Sequence, residues 1–257
     1  MEFKTLQVQI ADGIAVVTLN RPPVNAQNAE LRSEVIECFD TLSDMTDVAC
    51  IVITGSGKTF SAGADIRERP NLAEKPGAYG RHNRLTRECH YAMVECSKPI
   101  IAAINGPALG AGFGLVMGAD IWVASENAYV SMPEINVGLA GGVTYLQKYF
   151  SQSRARRMFY TGMQVSAQEL YRLGLVEACL PPDELMPYVM DIARDIASKS
   201  PVALRLAKEA ARMTLSMPQR EAYRYEQGNT VALSKTEDAR EAQMAFLEKR
   251  QPVYKGR

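Results

Sequence analysis

KPIIAAINGPALGAGFGLVMGADIWVAS, Lys98 to Ser125, is the stretch whose reading decides the fold. Its opening apolar run, Pro99 to Ile104, is short and flanked by turn residues, the signature of a buried strand. Asn105, Gly106 and Pro107 then mark a turn. The small residues from Ala108 to Gly112 let backbone come close to whatever lies opposite. A helix start follows, and Ile121 to Ser125 is a second buried strand. Strand, glycine-rich turn, helix and strand in that order belong to an α/β core. Polar residues, proline and repeated glycines interrupt the run, so it does not read as a membrane span.

Working outwards, the next segment, SMPEINVGLAGG, carries one isolated acid, Glu134. Upstream, CIVITGSG from Cys50 reads as another buried strand ending in a turn. LQVQI-ADG-IAVVTLN, near the start, is a hairpin pattern around Asp12-Gly13. Between these lies ELRSEVIECFDTL, with apolar residues at Leu31, Val35, Cys38, Phe39 and Leu42, the spacing of one helix face. Arg67 to Tyr91 mixes proline, glycine and charge without an early pattern and regains helical character towards Glu95. That predicts a loop followed by a helix, a candidate lid. After Arg154 helical patterns dominate, which divides the chain into an α/β core over 1–195 and a helical region over 196–257.

The 257 residues hold 29 Lys plus Arg against 29 Asp plus Glu, so net charge argues for neither nucleic acid nor an anionic membrane as a partner. MEFKTLQVQI carries charges and no long apolar stretch, so no secretory signal is expected. The five cysteines are odd in number and none pair at metal-ligand spacing, which predicts reduced thiols in a cytoplasmic protein. His82 and His90 have no third ligand nearby and read as structural or surface groups rather than a metal site.

Two motifs mislead. TGSGKTF, Thr54 to Phe60, imitates a phosphate-binding loop, but the glycine required five positions before Gly57 is Val52, inside a strand. Gly110, Gly112 and Gly114 imitate a dinucleotide fingerprint, whose last small residue would fall on Leu115.

FSAGADI (Phe60 to Ile66), AAINGPALGAGFGL (Ala102 to Leu115) and PEINVGL (Pro133 to Leu139) occur in an order and spacing that resemble the crotonase, or enoyl-CoA hydratase/isomerase, superfamily, and the likeness runs over nearly the whole chain. The resemblance implies a spiral of ββα units with a helical C-terminal region used for trimerisation, as a trimer or a dimer of trimers. It implies a coenzyme A thioester as substrate and no separate cofactor. By motif position the amides of Ala62 and Ala111 would form an oxyanion hole for the thioester enolate. Glu134 would be the acid/base. Ala62, Ala64, Asp65 and Ile66 would line the adenine site, with Arg21, Lys249 and Arg250 at the phosphates.

One departure matters. Hydratases of this family carry a second glutamate where this chain has Gly114, and a glycine neither takes a proton nor orients water. Tyr145, Asn136, the 67–95 segment and Tyr225 are the candidate substitutes. The reading is therefore an enoyl-CoA-transforming enzyme that favours double-bond isomerisation, which needs one acid. Hydration with a non-standard water-holding residue is the alternative within the class, and a non-catalytic CoA-ligand-binding scaffold is the alternative outside it.

Overall fold

The computed structural model describes residues 1–69, 72 and 74–257. β1 (Leu6–Ala11) and β2 (Ile14–Leu19) form the expected antiparallel hairpin. Asp12 and Gly13 both take positive φ, 52° and 75°, the geometry that a tight two-residue turn requires. From β2 the sheet continues in parallel through β3 (Cys50–Gly55), β4 (Ile100–Ile104), β6 (Ile121–Ser125) and β9 (Cys179–Leu180). A second, three-stranded sheet joins β5 (Ala108–Leu109) to β7 (Tyr129–Ser131) in parallel and β7 to β8 (Val165–Ser166) antiparallel.

The central strands read as continuous apolar runs because both faces of the large sheet are covered. Ile51, Ile53, Ala102 and Ile104 point into the larger core, with Val35, Phe39 and Leu42 of α1 (Ala29–Asp44). Their neighbours Cys50, Val52, Ile101 and Ala103 point the other way, onto Leu185, Val189 and Ala193 of α7 (Pro182–Ala197). This is the alternation of a strand, with helices on both sides. The boundary drawn at residue 195 falls in the last turn of α7.

α2 spans Ala78–Glu95 and packs on α1. The helix expected after a loop is present, and it starts at Ala78, well before the helical character seen towards Glu95. It opens at Gly77 without a side-chain cap and buries only Cys89, His90 and Met93. Much of its inner face is polar because that face borders a cavity rather than the core, which conceals the apolar period.

α3 (Ala111–Gly118) follows β5, and α4 (Val143–Tyr149), α5 (Gln152–Thr161) and α6 (Ala167–Arg172) lie between β7 and β9. The C-terminal helices are α8 (Pro201–Thr214), α9 (Gln219–Leu233) and α10 (Glu237–Glu248). The buried Lys208 ties α8 to the core. Its Nζ donates to the Lys98 carbonyl at 2.7 Å and pairs with Asp120 at 2.9 Å, while Asp120 also accepts the Ile100 N–H at 2.7 Å. None of the described helices is long and apolar enough to cross a membrane.

Candidate active site

Three short segments run side by side at the end of the large sheet. Leu109 N–H donates to the Ser61 carbonyl at 2.9 Å, and Ser61 N–H to that of Pro107 at 3.2 Å. Gln27 straps both segments together. Its N–H donates to the Gly63 carbonyl at 2.7 Å, its carbonyl accepts Asp65 N–H at 2.9 Å, and its side-chain amide donates to the Ala111 carbonyl at 2.9 Å. Gly63 permits the approach: it has φ +85°, and a β-carbon there would collide with the Leu109 carbonyl and stand 3.3 Å from the Ala111 nitrogen.

This zippering decides which amides are free. Ala62 N–H donates to the Val24 carbonyl at 2.9 Å, and Ala62 does not line the neighbouring cavity. The expected oxyanion donor at Ala62 is therefore spent on the scaffold. Ala64 and Ala111 are different. Neither N–H has a partner among the described residues, and both residues line the cavity. Ala111 is also the first residue of α3, where the helix leaves its amides unpaired and carries partial positive charge.

Glu134 faces the same place. It sits on the 3₁₀ turn Pro133–Val137 just after β7. Its carboxyl lies against the α-carbon of Gly110, so that a β-carbon at 110 would fall 2.5 Å from Oε1. Any larger residue at 110, which also has φ +53°, would displace the acid. Oε2 is buried with no hydrogen-bond partner among the described residues. Burial pushes the Glu134 carboxyl above its ordinary pKa, outweighing the opposing pull of its own backbone N–H and of Arg69.

The cavity has a volume of 480 Å³, and Glu134 is the one carboxylate among its described lining residues. Gly114, one helical turn beyond Gly110, also lines it, and a β-carbon there meets nothing within 4 Å. The Gly114 carbonyl accepts a hydrogen bond from His90 Nδ1 at 2.9 Å. Nδ1 must then carry the proton, leaving Nε2 as an acceptor. Burial lowers the His90 pKa, and its ring packs edge-on to Tyr145 with centroids 4.5 Å apart.

The remaining site candidates lie off the cavity wall. Arg21 donates to the Ala26 carbonyl at 2.9 Å and pairs with Asp65 at 3.0 Å. Asp65 also binds Arg67, which together with Arg21 holds its carboxyl well below the usual range despite burial. Ile66 is exposed. Lys249 ends α10, and Arg250 beside it is paired with Glu241 and Glu248. Of the candidate water-holding groups, Tyr145 lines the cavity and Asn136 does not. The Tyr225 hydroxyl donates to Glu209 at 2.8 Å, away from the cavity.

His82 and His90, expected to be structural or surface groups, both line the cavity. Gln27, Arg32 and Arg69 also line it and were not anticipated. For Arg32 the signal was present: it falls three residues before Val35 and seven before Phe39, a charge on the apolar stripe of α1. Gln27 offered no comparable pattern.

Comparison with known proteins places this arrangement. Residues 9–257 match the family model described as enoyl-CoA hydratase/isomerase. Carnitinyl-CoA dehydratases of Salmonella paratyphi A and Salmonella agona are each 36% identical over 257 residues, covering 95% of both chains. The structure of an enoyl-CoA hydratase from Bacillus anthracis superposes with a TM-score of 0.91 at 32% identity, over 99% of this chain and 100% of that one. One from Geobacillus kaustophilus gives 0.90 at 33%, with both chains fully covered. With sequence, fold and length in agreement, the chain belongs to the enoyl-CoA hydratase/isomerase family of the crotonase superfamily.

Proposed function

We propose that the protein moves a carbon–carbon double bond in an acyl-CoA thioester through an enolate. The Glu134 carboxylate removes a C2 proton from a 3-enoyl thioester. The electron pair passes into the thioester, and the oxygen's negative charge is held by the N–H groups of Ala64 and Ala111. The same carboxyl returns the proton at C4, which leaves the 2-enoyl thioester. A single acid completes this cycle, and the observation that supports the reading is that Glu134 is the one carboxylate among the described cavity residues. Its raised pKa suits a group that must both take and give a proton near neutral pH.

The test is interconversion of 3-enoyl- and 2-enoyl-CoA followed by absorbance, with Glu134→Gln as control. The amide is nearly isosteric but takes no proton, so turnover should fall by about 10²–10⁴ while CoA-ligand affinity is kept. Turnover within about threefold of the parent would remove Glu134 from the mechanism. Ala64 and Ala111 act through backbone amides, so their part is tested by proline: Ala64→Pro deletes the N–H, with an expected loss of about 10²–10³ in turnover. Retained thermal stability would show that the loss is not one of folding.

Hydration, or its reverse, is the second reading. The names carried by the relatives favour it, as does the His90 imidazole placed beside Gly114 with Nε2 as an acceptor. In that reading His90 holds the water that a second glutamate would otherwise hold. His90→Ala should then abolish hydration while sparing isomerisation.

A further inference from the structure

Arg32 has no job in the chemistry above. It is fully buried on α1, it lines the cavity, and its Nε and Nη2 have no hydrogen-bond partner among the described residues. The remaining nitrogen, Nη1, lies 3.5 Å from His82 Nδ1. The carboxylates nearest to it are already engaged: Asp65 by Arg67 and Arg21, and Glu68 by the Ala29 N–H at the start of α1. Cys89, which also faces Arg32, is a neutral thiol whose pKa burial pushes up to about 12. Arg69 stands on the same wall, and its Nε is likewise buried without a partner among the described residues. An unpaired buried guanidinium is costly. A protein keeps one where a ligand supplies the opposite charge.

We infer that Arg32 is the anchor for an anionic group at the far end of the substrate's acyl chain, so that the preferred thioester is that of a dicarboxylic acid. The inference rests on the acyl-CoA reading. It narrows the substrate from any enoyl-CoA to one bearing an ω-carboxylate. Guanidinium and carboxylate match as a bidentate pair, and Arg69 supplies a second cation. His82, whose Nδ1 lies 3.5 Å from the guanidinium, has to swing aside to admit the anion. The phosphates of CoA are the other source of the same charge, and the test separates the two.

Binding of unreactive saturated thioesters is measured by titration calorimetry in pairs of equal length: succinyl- with butyryl-CoA, glutaryl- with pentanoyl-CoA, adipyl- with hexanoyl-CoA. Free CoA is the seventh ligand. For at least one pair the carboxylated member should bind about tenfold or more tightly, the factor a charge-assisted hydrogen bond supplies. Arg32→Met should erase that preference while leaving butyryl-CoA and free CoA within about twofold, and Arg32→Lys should restore part of it. Arg32→Met should also melt no lower than the parent, since it removes an unpaired buried charge. Equal binding within every pair overturns the inference and leaves the acyl-CoA reading standing. Loss of free CoA affinity in Arg32→Met assigns the charge to a phosphate and also overturns it. If no thioester binds at all, the acyl-CoA reading itself fails.

Discussion

Replacing Gly114 with glutamate asks whether the missing acid alone separates this site from a hydratase. The position is sterically open, since a β-carbon meets no atom within 4 Å, and Gly114 lies inside α3. Exchanging a helical glycine for a better helix former gains up to about 1 kcal/mol, partly offset by burying a carboxylate. Melting should therefore shift by no more than about 2–4 °C. Gly110, against which Glu134 rests, precedes position 114 by one turn. A turn advances about 5.4 Å. Two ionised carboxylates roughly 6 Å apart at an effective dielectric of about 20 repel by on the order of 3 kcal/mol. One of the pair therefore stays protonated while the other ionises. That division suits water addition, where one group takes a proton as the other gives one. The assay is the ratio of 3-hydroxyacyl product to isomerised product from a single 2-enoyl-CoA, with affinity for an unreactive thioester measured alongside. The ratio should rise. If affinity is kept and the ratio is unchanged, position 114 is not where hydration is decided, and His90 becomes the group to remove.

Glu134 should also make stability depend on pH. Its folded-state pKa lies above the unfolded value of about 4.3, so the folded state binds more protons between the two values, and stability falls as pH rises through that window. Glu134→Gln should then match the parent's melting temperature near pH 4 and exceed it at pH 8; an equal difference at both would refute the burial argument. We propose that the protein assembles as a trimer or a dimer of trimers through its C-terminal helices, where Leu215, Phe246 and Leu247 are more than 70% exposed. Light scattering should give three or six times the 28.3 kDa chain mass, and a monomer at micromolar concentration would refute it. Lys208→Met strands Asp120 and removes a donor from the Lys98 carbonyl. It should cost about 1–3 kcal/mol in urea denaturation, and a change below about 0.5 kcal/mol would show that α8 is held by other contacts.

The sequence by itself made most of the elements legible and singled out Glu134. The short apolar runs of β3, β4 and β6, the Asp12-Gly13 turn and the apolar stripe of α1 are local patterns, and local sterics and burial are enough to read them. Glu134, Ala111 and the departure at Gly114 came from the family resemblance carried by the motifs, and all three residues line one cavity. The choice between Ala62 and Ala64 was beyond the sequence. Both are small residues of one loop, and which amide faces the cavity depends on peptide planes set by Val24 and Gln27, some forty residues away. The early start of α2 escaped because a helix bordering a cavity carries His82, Asn83 and Thr86 where a core-facing helix carries apolar residues. Arg32 could be named as an anomaly on an apolar stripe. That its guanidinium makes no direct ion pair among the described residues follows only from the tertiary structure, because Asp65 is held by Arg21 and Arg67 and Glu68 turns to the Ala29 N–H.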